Sequence, residues 1–402
     1  MAEHRAPQWT VRLLLSAVGA LVVLPLSLVA GLPARAAGAQ ACNLPVVTNP
    51  LQEPVWGFTR LRPDLAWPLT RGAGVTVAVI DSGVSPTHPA LAGKVLTGRD
   101  FLLDSTGQCD ENGHGTLVAG IIAGRATVSN GYRFAGVAPD ATILPVRVLR
   151  DEQRSSDTSL SDRIADAIGW AVDQGAEVIN MSLTTAPSPK LETAIRSALD
   201  AGVVLVAAAG NEGGTADDGQ VAYPAAYDGV IAVAGTDQQD QRVSSSSSGD
   251  YVDVAAPGVR ISGPSAAGAG FLYSEAGGTS FAAAYVSGVA ALVRANNRSL
   301  SPEEVADRIM LTASQGRAWD PEIGHGVVDP ARAVGVLTVA TALAPQPSGW
   351  VVPPAAAPMQ HDPVGAAAPW VVGAGALAAI AVLVAVPITR RGRQRGWHPG
   401  QH

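Results

Sequence analysis

The sequence predicts an α/β fold: a mostly parallel central sheet with helices on both faces. Three observations predict it. Short apolar runs rich in β-branched residues alternate with segments of helical spacing. The runs are apolar almost without interruption, as strands buried on both faces are. Several end in Asp, Gly or Asn, residues that turn the chain at a strand's end. With 402 residues and no evident internal repeat, one large domain or two is expected.

The elements follow in order. Residues 75–80 (VTVAVI) form a continuous apolar run closed by Asp81-Ser82-Gly83, a buried strand and its turn. Residues 114–125 (HGTLVAGIIAGR) read as a helix with small residues on one face, and 141–149 as the next strand. In 160–174, Ile164, Ile168 and Val172 share one helical side. Strands at 178–181 and 203–208 flank a helix at 190–199. Two more strands are expected at 230–234 and 251–255, with the serine run 244–248 as a loop between them. Residues 280–295 read as a long apolar helix, and 302–312 as a last amphipathic one. In such sheets the functional site lies at the carboxyl ends of the strands, where Asp81 falls.

The composition narrows the class. Hydrophobic residues make up 47% and charged residues 15%, against a usual ~25% charged. The net charge of −7 offers no basic face for nucleic acid. Arg5 and Arg12 precede an uncharged apolar run at 13–30, and Ala34-Arg35-Ala36 follows, so 1–36 reads as a secretory signal peptide. Cleavage is expected after Ala36, with Ala39 as the second site; the alternative is an uncleaved signal anchor. Residues 370–389 carry no charge and at ~1.5 Å per residue reach about 30 Å, the thickness of a hydrocarbon core. Arg390, Arg391, Arg393 and Arg395 follow and put the tail 390–402 in the cytoplasm. A Pro-rich stretch, 341–369, is an extended spacer before the span. Residues 37–70 are irregular, a coil that must lie on something. The expected layout is signal peptide 1–36, extension 37–70, globular domain 71–340, linker 341–369, span 370–389 and tail 390–402. The protein is thus placed at the cell membrane, single-pass, with its globular part outside.

Both cysteines, Cys42 and Cys109, lie in the exported part, where a bridge can form and would pin the extension beside His114; the alternative is two free thiols. Their separation gives no metal-ligand spacing, and no metal or other cofactor is expected.

The chemistry rests on three short segments: Asp81-Ser82-Gly83, His114-Gly115-Thr116 and Gly278-Thr279-Ser280. A serine hydroxyl is a weak nucleophile and needs a base, which an acid must orient. Ser280 begins a helix after Gly277-Gly278, where free N–H groups favour developing negative charge. Alone it reads as a helix cap. His114, between glycines at another helix start, is distinguished from the rivals His88 and His325. Asp81 ends a buried strand, where an unpaired carboxylate costs several kcal/mol. Asn211 follows Gly210 at the end of an apolar strand, where its amide could donate to an oxyanion together with the Ser280 N–H.

The segments VAVIDSGV, NGHGTLVAGIIAG, AAAGN and GGTSFAAA resemble the subtilisin-type serine proteases, over roughly residues 72–334. The resemblance implies a subtilisin-like fold, with Asp81 the orienting acid, His114 the general base, Ser280 the nucleophile and Asn211 the oxyanion donor. It implies a protein or peptide substrate bound by Ser182, Leu183, Gly210 and Gly278. Thr184 stands where the family commonly has glycine, and Ala284 where it usually has proline. The signal, stalk, span and TSFAAAYVSGVAALVR further resemble the mycosins, membrane-anchored proteases of type VII secretion. That implies secretion-complex subunits as partners, and an extension that wraps the domain under a disulfide. Two competing readings are a structural subunit with catalysis secondary, and a surface protease unconnected with secretion.

Overall fold

A computed structural model of the chain describes residues 42, 44, 49–103, 105–150, 158–215, 220–316, 318–335, 390–392 and 395–396. The expected signal peptide, linker and membrane span lie outside these residues, as does most of 37–48. Among the described residues no helix is long and apolar enough to cross a membrane. The chain forms two units, Met1–Val339 and Ala340–His402. In the second, Arg390 to Gly392 form a helical turn onto which the Arg395 N–H folds back, donating to the Arg391 carbonyl at 3.1 Å.

The first unit is built on strands β1 (Thr76–Asp81), β2 (Arg99–Asp100), β5 (Thr142–Arg147), β6 (Val178–Met181), β7 (Val204–Ala208), β8 (Val230–Thr236) and β9 (Val254–Pro257). They make one sheet in the order β2-β5-β1-β6-β7-β8-β9, every pairing parallel. Two antiparallel hairpins lie outside it: β3 (Thr127–Ser129) with β4 (Tyr132–Phe134), and β10 (Ile261–Pro264) with β11 (Phe271–Ser274). The helices are α1 (Trp56–Leu61), α2 (His114–Ala123), α3 (Thr158–Asp173), α4 (Pro189–Asp200), α5 (Thr279–Asn296), α6 (Pro302–Thr312) and α7 (Pro330–Gly335).

The period-2 alternation of β1 divides the core in two. Val77 and Val79 face the layer of α2 and α5, while Ala78 and Ile80 face that of α3 and α4. Both layers are buried, so β1 is covered on each face and reads as an unbroken apolar run. Helix α5 is itself buried over most of its length, and small residues such as Ala282, Ala283 and Gly288 let it lie close; a Cβ on Gly288 would meet the Val137 side chain at 2.5 Å. It continues unbroken through Ala284. Helix α6 begins at a capping box in which Ser301 and Glu304 each satisfy the other's backbone N–H.

Two expectations need correction. The extension is not all coil: it contains α1 and a 3₁₀ turn at Pro63–Leu65. Packing rather than periodicity holds these short pieces. Trp56 donates its indole N–H to the Val259 carbonyl at 2.7 Å, and Leu61 enters the main core. The last sheet strand begins at Val254 rather than 251. Tyr251 instead donates its hydroxyl to the Ala209 carbonyl at 2.7 Å.

Candidate active site

The strand order places three loops side by side. The chain leaves β5, passes through α3 and re-enters the sheet on the other side of β1, so the order reverses at β1. Loops at the carboxyl ends of strands around such a reversal enclose the crevice where α/β sheets bind ligands. Asp81 ends β1, Ser182 follows β6, and Gly210-Asn211 follow β7. Ser280 sits in the first turn of α5, among N–H groups that have no intrahelical partner.

Asp81 is fully buried, and its Oδ1 accepts from the Ser82 N–H at 2.7 Å and faces His114 Nδ1 at 2.8 Å. The other oxygen, Oδ2, is buried without a hydrogen-bond partner among the described residues. A carboxylate so placed orients the imidazole. The ring of His114 is 5% exposed as a residue and packs against Phe281, the neighbour of Ser280, at 5.2 Å between centroids. Gly115 is required here: a Cβ would lie 2.1 Å from the Gly83 carbonyl oxygen, so any larger residue would push the His114 helix off the Asp81 turn.

Ser280 and Ser182 are laced together. Ser182 Oγ donates to the Ser280 carbonyl at 2.7 Å, and Ser280 Oγ donates to the Ser182 carbonyl at 3.2 Å. Ser182 Oγ in turn accepts from Asn180 Nδ2 at 2.9 Å, and Asn180 Oδ1 accepts from Ser287 Oγ of α5 at 2.9 Å. The side chain of Leu183 is buried in the α3–α4 layer, so only its backbone is open to a ligand.

Asn211 is exposed, and its amide orientation follows from its bonds. Oδ1 accepts from the Thr279 N–H at 2.9 Å and from Thr279 Oγ1 at 3.0 Å. Nδ2, without a hydrogen-bond partner among the described residues, lies 3.3 Å from where a Cβ on Gly278 would stand, so Gly278 keeps the space beside it open. Thr279 Oγ1 also accepts from the Gly210 N–H at 3.2 Å, which ties the β7 turn to α5. The expected site residues thus converge at one rim of the sheet.

Cys42 and Cys109 are bridged, with an S–S distance of 2.05 Å. The residue after Cys109 was not foreseen. Asp110 is fully buried and its carboxylate accepts four hydrogen bonds: from Ser82 Oγ and the Gly113 N–H, each at 2.8 Å, and from the Thr116 N–H and Oγ1 at 2.8 and 2.6 Å. Burial pushes its carboxyl up, and the bonds from Thr116, Gly113 and Ser82 oppose that. The available signal was an acid just upstream of a helix start, in Asp110-Glu111-Asn112-Gly113-His114. Among the described residues no cluster of His, Cys, Asp and Glu is arranged to hold a metal ion.

The model of the subtilase family matches residues 72–326. The chain is a subtilase. Thermitase of Thermoactinomyces vulgaris is 41% identical over 265 residues, covering 64% of this chain and 90% of thermitase. Subtilisin Savinase of Lederbergia lenta is 39% identical over 262 residues, covering 64% and 91%. Among solved structures, the MycP3 protease from the type VII (ESX-3) secretion system superposes with a TM-score of 0.64 and 35% identity, covering 71% of this subtilase and 91% of that chain. MycP1 from Mycobacterium smegmatis gives 0.63 and 31%, covering 73% and 89%. The subtilase shares its activity class with these relatives: it is a serine protease with the subtilisin-like α/β fold.

Proposed function

We propose that this subtilase is a membrane-anchored, extracytoplasmic endopeptidase that cleaves peptide bonds with Ser280, His114 and Asp81, in association with a type VII secretion system. The 2.8 Å contact between His114 Nδ1 and Asp81 Oδ1, at the start of a helix packed on Phe281, carries the catalytic part. With Nδ1 donating to Asp81, Nε2 is left as the base. It takes the Ser280 proton as the oxygen attacks the carbonyl, and later returns it to the leaving amine. Asn211 Nδ2 and the Ser280 N–H meet the negative charge that forms on the carbonyl oxygen. Backbone at Ser182 and Leu183 receives the substrate chain, with the turns at Gly210 and Gly278 beside it. The likeness to MycP3 and MycP1, with the apolar run at 370–389, supports the membrane and secretion assignments.

A fluorophosphonate probe tests the triad. It is expected to label Ser280 alone, and His114→Ala to abolish labelling. Ser280→Ala is expected to lose about 10⁴–10⁶ in turnover, a figure known for subtilisin itself rather than obtained from this geometry. Labelling that survives the His114 change would show that another group is the base.

A further inference from the structure

We propose that Asp110 is a positioning residue for catalysis: its carboxylate clamps the turn after Asp81 to the first turn of the helix that begins at His114. The inference rests on the Ser/His/Asp reading above. Asp81 ends strand β1 and His114 begins helix α2, and a base and its orienting acid must hold their mutual geometry closely. Asp110 supplies the cross-link. On Oδ1 it takes Ser82 Oγ from the β1 turn and the Gly113 N–H from the residue before His114. On Oδ2 it takes both donors of Thr116, two residues after His114.

The rest of the network agrees with these directions. Ser82 Oγ accepts from the Gly115 N–H at 3.1 Å, and Thr116 Oγ1 accepts from the Ser85 N–H at 2.9 Å. Each hydroxyl therefore has its proton left for Asp110. Four donors then match the carboxylate's lone-pair positions. Asp110 serves in the cluster as the acceptor of all four bonds. It also completes the helix start. The N–H groups of Gly113, His114, Gly115 and Thr116 go to Asp110, Asn112 Oδ1, Ser82 Oγ and Asp110 respectively. None is left over, and every one except the Asn112 bond also fixes helix α2 relative to β1 or its neighbouring loop.

The elements packed on α2 bring few other charges to this place. Strand β1 contributes Asp81 alone, and β10 none. Arg147 of β5 is engaged by Asp100 and Glu111, and α5 sets Phe281 rather than a charge against the imidazole. Asp110 thus acts on the pair through geometry.

The test compares Asp110→Asn, Thr116→Val and Thr116→Ser in the full chain, with concentrations set by fluorophosphonate titration of Ser280. Asparagine turns one acceptor oxygen into a donor facing donors. It is expected to lower kcat/KM about 10²-fold, mostly in kcat, as a displacement of about 1 Å at a reacting centre does. KM is expected to stay within about threefold of wild type. The acid limb of the pH profile, which reports the base in the free enzyme, is expected to move to lower pH. Thr116→Val, nearly isosteric, is expected to show a smaller loss of the same kind, and Thr116→Ser to recover it. A role confined to stability would reduce the titratable fraction and leave both kcat per site and the acid limb in place. That result in Asp110→Asn, or in Thr116→Val where Asp110→Asn does not fold, would overturn the clamp. Wild-type protein that fails to react at Ser280 would instead overturn the triad reading.

Discussion

A buried carboxylate in this subtilase takes its properties from what surrounds it, and three of them differ for that reason. Asp81 faces an imidazole, Asp110 four donors, and Asp253 little of either. Asp253 precedes β9 and accepts one N–H, from Ala232 at 2.8 Å. Burial pushes its carboxyl up to about 6, against that bond and the pull of His325. The folded value lies above the ordinary one of 3.8, so folding takes up a proton between the two. The favourable contribution is complete below about pH 4 and is lost as pH rises through about 6. Asp253→Asn, in a Ser280→Ala background to prevent autolysis, is therefore expected to raise stability at pH 8 relative to pH 4. The difference is on the order of 2–3 kcal/mol, read from denaturant unfolding at both pH values. An equal effect at both would remove the titration argument. These three acids also show what a sequence discloses. Asp81 was legible because Ser-Gly follows it at the end of an apolar run, and His114 and Ser280 because glycines mark the close backbone approaches around them. Asp110 was not, because its role lies in four donors, two of them backbone, that only the folded loop brings together.

At the scale of elements, the strands and long helices were legible because β1, β5, β6, β7 and β8 are covered on both faces and their apolar runs are unbroken. The hairpins β3–β4 and β10–β11 escaped notice: strands of three or four residues give too few positions for a period. Helix α1 escaped for the same reason. The extension's attachment was legible in outline, since two cysteines in a chain expected to be exported suggest a bridge. Its bridge to Cys109 closes a separation of 67 residues and anchors the loop that carries Asp110. A loop of that length constrains the unfolded chain by on the order of 4 kcal/mol in the chain-entropy account. Replacing both cysteines by serine, again in the Ser280→Ala background, is expected to lower unfolding stability by roughly that amount. The extension also holds by other contacts, including the Phe271 N–H donated to the Asn49 carbonyl at 2.7 Å and Arg260 paired with Glu53 at 2.5 Å. A loss well under about 1 kcal/mol would mean that these contacts already restrain the unfolded chain or that the bridge strains the fold.

At the scale of the whole molecule, the protease unit completes its sheet, both core layers and the entire candidate site within residues 49–335. Nothing in that chemistry requires residues 370–402, whose composition suits a bilayer and a basic cytoplasmic flank instead. The proposed attachment is therefore separable from catalysis. Deleting 370–402 is expected to move the protease from the membrane fraction to the medium, with kcat/KM on a soluble peptide within about twofold of the full chain, as an independently folding domain allows. Fractionation with peptide hydrolysis measures both halves of the expectation. Full retention in the membrane after the deletion would move the anchor to the apolar run at 13–30, left uncleaved. Release with loss of activity would mean that the C-terminal segment supports the fold and not only its location. Under the proposed secretion role, export in cells carrying only the released form tests whether tethering itself matters. Export that continues undiminished would separate this subtilase from such a role while leaving its peptidase assignment in place.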